Sequence, residues 1–410
     1  MTAETPESMP LRHLRPRDGS EQRATTFELF FDLVFVFAIT QLSHHLLAHL
    51  DFHGVLETGF LLLVVWWAWN YTTWMTNWFD PDSRPVRLVL IGVMGLGLLM
   101  SVAIPEAFGD RALLFAGSYV ALQVLRNTFN VYAVHDGSER HRSFQRILAH
   151  SIVSGALYIA GAVIGGEWLV PLWIAALVLD YAGPYLRYWT PGLGASSTDS
   201  WDVNGEHFAE RFHLLVIIAL GEGIVVTGAT AAQQSLYGDS VLAILVAFLT
   251  SAAMWWIYFD FVAERARQRL HRSSDPGRLA RDAFTYLHLP IVLGIILTAV
   301  SDELLVAHPG EPFELPIMAV AGPALYMVGH NLFRLVMARS ISMNRLVATF
   351  ALLALVPIAD TVSALVVSTL VLGVLVALIV REQLISVPQL PEQGVVHDTI
   401  DGRRPAGGEA

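Results

Sequence analysis

What most limits the fold of this chain is a succession of twelve apolar runs. They lie at approximately 27–50, 54–79, 86–106, 112–134, 146–165, 168–187, 208–230, 240–262, 283–301, 315–337, 344–359 and 361–381. A helix needs about 20 mainly apolar residues to cross the roughly 30 Å of bilayer hydrocarbon. Backbone groups in lipid must bond within their own segment, so runs of this length are spanning helices. The fold class that follows is all-α: a polytopic membrane protein of about twelve transmembrane helices. Only Ala359-Asp360-Thr361 separates the last two runs, which makes them a tight helical hairpin or a re-entrant pair.

Composition agrees. Of 410 residues 54% are hydrophobic and 15% charged, against about 25% charged in soluble domains. There is no cysteine, which excludes disulfides, thiolate catalysis and cysteine-ligated metals. Residues 1–24 and 387–410 are polar and read as disordered cytoplasmic tails; the first has no apolar core and is no signal peptide.

Arginine placement tests the count. All 25 basic residues are Arg, and short cytoplasmic loops concentrate such residues. With twelve crossings and the N-terminus inside, all but Arg111 and Arg126 fall in cytoplasmic tails, loops or the adjoining helix ends. The outer side receives Asp51, Glu106, Asp110, Glu167, Asp239, Asp302, Glu303 and Glu311. The net charge of −11 therefore reflects sorting by side and implies no acidic-binding partner. The expected topology is multi-pass with both termini cytoplasmic.

Three landmarks recur in order. Glu28-x-Phe30-x-x-Leu33-Val34 in the first run matches Glu210-x-Phe212-x-x-Leu215-Val216 in the seventh. Trp66-Trp67 in the second matches Trp255-Trp256 in the eighth, and Arg126-Asn127-x-Phe129 matches His330-Asn331-x-Phe333. These predict two six-helix repeats over 25–190 and 205–385. Six is even, so both insert in the same orientation, a parallel repeat of the kind found in transporters.

A charge near the bilayer centre costs about 2.5–3.5 kcal/mol on insertion scales, so each needs a partner or a purpose. Thr25-x-x-Glu28 has the form of a capping box. Asp32 lies a turn deeper, where capping cannot account for it, and a salt bridge to Arg126 would. The repeat pairs Glu28 with Glu210, Arg126 with His330 and Asn127 with Asn331. These residues either tie helices together or line a hydrated path. Glu222 sits between Gly221 and Gly223 near the midplane. It is read as a proton- or cation-responsive site, with a neutral, hydrogen-bonded Glu as the alternative.

Bland readings suffice elsewhere. His45, His49 and His53 have four-residue spacing, but His53 lies past Asp51, and the group is read as interfacial rather than metal-binding. Asp180 and Asp260 are read as partners of cytoplasmic arginines. The tryptophans of the second run are read as packing. No phosphate loop, nucleophile elbow or His-Glu-x-x-His motif is present, which argues against an energised pump and most catalytic classes. No cofactor, metal or nucleic-acid partner is called for; the expected partners are membrane lipids and an ion or small solute.

The segment Phe27-Glu28-Leu-Phe-Phe-Asp32-Leu-Val-Phe-Val-Phe-Ala-Ile-Thr40, with Glu210-Arg-Phe-His-Leu-Leu-Val-Ile-Ile-Ala-Leu-Gly-Glu222, resembles the bacterial low temperature requirement A (LtrA) family. The resemblance implies a polytopic plasma-membrane protein linked to growth in the cold, and it supplies no substrate. The first helix is also similar to the pore-lining helix of potassium channels with a Phe-Ser-Asp signature. It departs from that pattern at Phe31 in place of serine and at Leu214 where the first half has Asp32.

Three functions fit. One is conduction or transport of an ion or small solute between the halves, using Glu28, Asp32, Arg126, Asn127, Glu210, Glu222, His330 and Asn331. The others are a non-catalytic scaffold or sensor and a membrane-embedded lipid-modifying enzyme.

Overall fold

The structure is a computed structural model, and it describes residues 13–15, 23–197, 201, 203–234, 237–260 and 275–386. Each apolar run forms one helix. In chain order these are α1 (Thr26–Ala48), α2 (Phe52–Trp78), α3 (Arg84–Ala103), α4 (Ala112–Ala133), α5 (Glu139–Ile164) and α6 (Leu169–Ala182). They continue with α7 (Gly205–Ala232), α8 (Asp239–Tyr258), α9 (Leu289–Ala307), α10 (Met318–Ala338), α11 (Met343–Leu353) and α12 (Ala364–Ser386). No strand occurs among the described residues, where pairing is limited to two isolated bridges.

Among the described residues, eight stretches are long and apolar enough to cross a membrane: α1, α2, α3 with its short 3-10 extension, α5, α7, α8, α9 with the turns before it, and α12. The other four fall short for visible reasons. Gln123, Arg126, Asn127 and Asn130 interrupt α4, and His330, Asn331 and Arg334 interrupt α10. α6 has 14 residues and α11 has 11. The chain is a multi-pass helical membrane protein, with eight membrane-capable helices among its described residues.

Local signals set the helix starts. Thr25 caps α1, its hydroxyl accepting from the Glu28 amide at 3.2 Å while Glu28 accepts from the Thr25 amide at 2.8 Å. Asp51 caps α2 through the Gly54 amide. Pro276–Leu279 and a π-helical stretch, Ala280–Tyr286, lead into α9. α9 continues to Ala307, so Asp302 and Glu303 lie in its closing turns rather than in an outer loop, with Asp302 buried. Part of the segment read as a disordered tail is fixed to the bundle. His13 accepts from Asp80, Leu14 bridges Phe79, and Arg15 donates its amide to the Trp78 carbonyl.

α1 packs on α2 and α3, α3 on α4, α4 on α5, and α5 on α6. Likewise α7 packs on α8 and α9, α9 on α10, α10 on α11, and α11 on α12. The two sets meet where α1 and α2 contact α7 and α9. α9 and α10 approach through glycines: a Cβ on Gly322 would lie 2.3 Å from the Thr298 hydroxyl, and one on Gly294 2.7 Å from the Tyr326 amide. Small residues at a crossing let backbones close to contact, the main source of helix association in lipid.

Candidate functional site

Glu28 and Asp32 stand one turn apart on α1, and Arg211 in the second turn of α7 faces both. One guanidinium nitrogen of Arg211 lies 2.9 Å from Glu28 Oε1 and the other 2.6 Å from Asp32 Oδ1. All three side chains are fully buried. Arg15 reaches Glu28 Oε2 at 2.8 Å and also donates to the Thr76 carbonyl. Trp69 donates to Asp32 at 2.8 Å, and Arg211 donates to the Thr76 hydroxyl at 3.1 Å.

His207, one turn before Arg211, completes the cluster, and its protonation follows from its neighbours. The Asn77 amide is oriented by the Asn204 backbone, which donates to Asn77 Oδ1 and accepts from Nδ2, both at 2.9 Å. Asn77 Nδ2 therefore donates to His207 Nδ1 at 3.0 Å. That assigns the imidazole proton to Nε2, which lies 2.9 Å from Glu28 Oε1 and 3.0 Å from a guanidinium nitrogen of Arg15. A neutral imidazole leaves two guanidiniums against two carboxylates, and the charges close to zero. Two buried atoms stay without a partner, Asp32 Oδ2 and Arg211 Nε.

The remaining sequence candidates occupy other places. Arg126 is not the partner of Asp32; it donates to the Ala68 carbonyl and to Thr72, Asn127 and Gln123. Gln123 donates to the Tyr119 hydroxyl at 2.8 Å, and Tyr119 donates to Asp180 at 2.7 Å. Asp180 is thus tied to Arg126 through two side chains inside the first half, and not to a cytoplasmic loop arginine. Asn127 donates to Ser151. Asp260 accepts from the Trp256 indole.

In the second half, His330 is fully buried between Tyr258 and Tyr326, and neither ring nitrogen has a partner. Asn331 accepts from the Ser342 amide at 2.9 Å. Close by, Arg345 grips Glu382 with two 2.9 Å bonds. Glu210 accepts from the Ala24 amide, outside the ion-pair cluster.

Glu222 returns to the α1–α7 seam. It is bonded to Thr40, which lies 12 positions after Glu28 as Glu222 lies 11 after Arg211. The two contacts are therefore about 17 Å apart along helices rising 1.5 Å per residue, and α1 and α7 run in the same direction. Gly223 brings α7 against Ala299 of α9, whereas Gly221 faces open space. α7 continues unbroken through both glycines.

The family model for the bacterial low temperature requirement A protein matches residues 23–380, from the start of α1 into α12. The chain belongs to the LtrA family. An uncharacterized protein of Rhizobium meliloti (strain 1021) is 40% identical over 319 residues, covering 77% of this chain and 78% of that one. No solved structure matches.

Three residues central to this LtrA chain's polar seam escaped the sequence reading. Sorting by membrane side places Arg211 with the cytoplasmic helix ends, though it follows Glu210 within an apolar run that starts at 208. An arginine inside such a run is itself the signal for a buried partner. His207 lies just outside that run, and Arg15 lies in a tail whose composition gives no hint of docking.

Proposed function

We propose that this LtrA protein moves an ion or small solute along the seam between two six-helix halves in parallel orientation, and that both chain ends lie in the cytoplasm. The α1–α7 contact carries this reading. It is the meeting line of the halves, and it holds polar bonds at two depths: a closed ion-pair cluster at Glu28, Asp32 and Arg211, and the Thr40–Glu222 bond. The matching neighbour pattern of α1–α6 and α7–α12 supports the repeat. So does the buried acid on each sixth helix, Asp180 on α6 and Glu382 on α12.

The Thr40 hydroxyl has one proton and two acceptors in reach, the Val36 carbonyl at 3.1 Å and Glu222. That proton can go to either, so the Thr40–Glu222 contact joins α1 to α7 without being the hydroxyl's only choice. The purified protein in proteoliposomes is expected to carry a proton-coupled or cation flux that Glu222→Gln abolishes. Absence of flux for every cation and proton-coupled solute tried would defeat the proposal.

The charge-balanced ion pairs favour a second reading, a scaffold in which these residues only hold helices together. It expects substitutions at Asp32, Arg126 and Glu222 to change folding yield alone. A link to growth in the cold comes with the family and is assigned no mechanism.

A further inference from the structure

A pocket with about 480 Å³ of empty space, counted out to the solvent at its open mouth, lies apart from the seam. It is formed by the closing turns of α2, the second half of α4, the start of α5, the segment after α6 and the π-helical stretch before α9. Small organic ligands bind in concave sites lined mainly by aromatic and apolar side chains with a few placed polar groups, and the lining here has that character.

Its walls are aromatic and held from behind. Trp67, Tyr71, Trp74, Trp78 and Tyr188 face the space. Trp67 stacks on Tyr181 at 4.1 Å, Trp74 meets Phe208 edge-on at 4.9 Å, and Trp78 meets Phe144 at 5.3 Å. Tyr71 and Tyr188 are hydrogen-bonded to each other. The opening is therefore preformed, and flat rings of this kind favour a flat guest.

The polar groups state what the guest must carry. Trp74 Nε1 can only donate, and it does so to the Thr285 hydroxyl at 3.1 Å. That hydroxyl's own proton then goes to Asn70 Oδ1, also at 3.1 Å. This fixes the Asn70 amide with its NH2 group unpartnered, on a side chain that is fully buried. Asn130 lines the same space, 4% exposed, and its Oδ1 has no partner either. Buried polar groups left unbonded cost about 1–3 kcal/mol each, so one vacant donor and one vacant acceptor form a demand for a complement. Among the described residues no carboxylate lines the pocket, and the one cation, Arg281, is paired with Asp282 at 2.7 Å and bonded to the Pro184 carbonyl. A charged guest would find no free counter-charge among them.

We propose that this pocket is a binding site for a neutral planar ring bearing a lactam or carboxamide edge, whose carbonyl accepts from Asn70 and whose N–H donates to Asn130. The site stands whether or not the seam conducts. Fluorine NMR of the full chain in detergent, with a fluoropyridone as probe, tests it. The fluoropyridone resonance is expected to broaden saturably, and more than that of fluorobenzene or fluorobenzoate. Asn70→Leu and Asn130→Leu are each expected to weaken fluoropyridone binding about ten-fold while leaving fluorobenzene unaffected. Asn130→Leu removes no bond from the vacant oxygen, so it keeps the test available if Asn70→Leu fails to fold. Equal broadening by fluoropyridone and fluorobenzene, or fluoropyridone binding unchanged in a folded Asn130→Leu protein, would overturn the site.

Discussion

Two carboxylates, two guanidiniums and a neutral imidazole share the start of α1 and α7, and their worth depends on each other. Buried ion pairs gain little over a well-packed apolar core, but removing one partner strands the rest and costs about 3–5 kcal/mol. Arg211 bridges both carboxylates, so Arg211→Gln is expected to lower stability in detergent by that amount, read as a fall in thermal unfolding temperature. Asp32→Asn combined with Arg211→Gln keeps Glu28 paired to Arg15 and is expected to recover part of the loss. A double variant as unstable as the sum of its parts would show that the two side chains do not act as a pair. The sequence pairs Asp32 with Arg126 and the structure pairs it with Arg211 for a simple reason. Successive helix residues point about 100° apart, so a repeat that aligns Glu28 with Glu210 does not say that the neighbouring Arg211 faces α1. Which of two adjacent residues faces a distant helix is settled only by the packing.

At the scale of elements, much more was legible. Each crossing demands its own apolar run, and twelve runs became twelve helices because lipid leaves a long apolar segment no other way to bond its backbone. The capping box at Thr25 and Glu28 was also readable, since it is local. What the sequence could not reveal were the interruptions. α6 stops after 14 residues, and α4 and α10 carry polar groups that find partners only in three dimensions. Helix contacts make a sharp test. Gly322→Ala would place a methyl 2.3 Å from the Thr298 hydroxyl and 2.4 Å from its backbone nitrogen. Backbone cannot give way as a flexible side chain would, and the substitution is expected to cost about 1–3 kcal/mol through overpacking of α9 on α10. A Cβ on Gly373 of α12 meets nothing within 4 Å, so Gly373→Ala should stay within about 0.5 kcal/mol of the parent. Chemical denaturation monitored by tryptophan fluorescence compares the two, and equal stability would contradict the close α9–α10 approach.

At the scale of the whole molecule, the buried ionisable residues singled out above fall into three separate centres among the described residues and not one shared chamber. One ties α1 and α2 to α7; a second runs from Arg126 to Asp180 within α4–α6; a third holds His330 and the Arg345–Glu382 pair within α10–α12. The first crosses between the two sets of helices, as do the Thr40–Glu222 and Asn70–Thr285 bonds, so movement of one set against the other must strain these contacts while the inner two centres can stay intact. The chain has no cysteine, which allows spin labels to be placed freely at the lipid-facing positions Phe30 on α1 and Ile217 on α7. Double electron–electron resonance between those labels in lipid nanodiscs measures the seam directly. The account predicts two distance populations, with the longer one enriched when Asp32→Asn and Arg211→Gln are combined. A single narrow distance, unchanged by that double substitution, would contradict it.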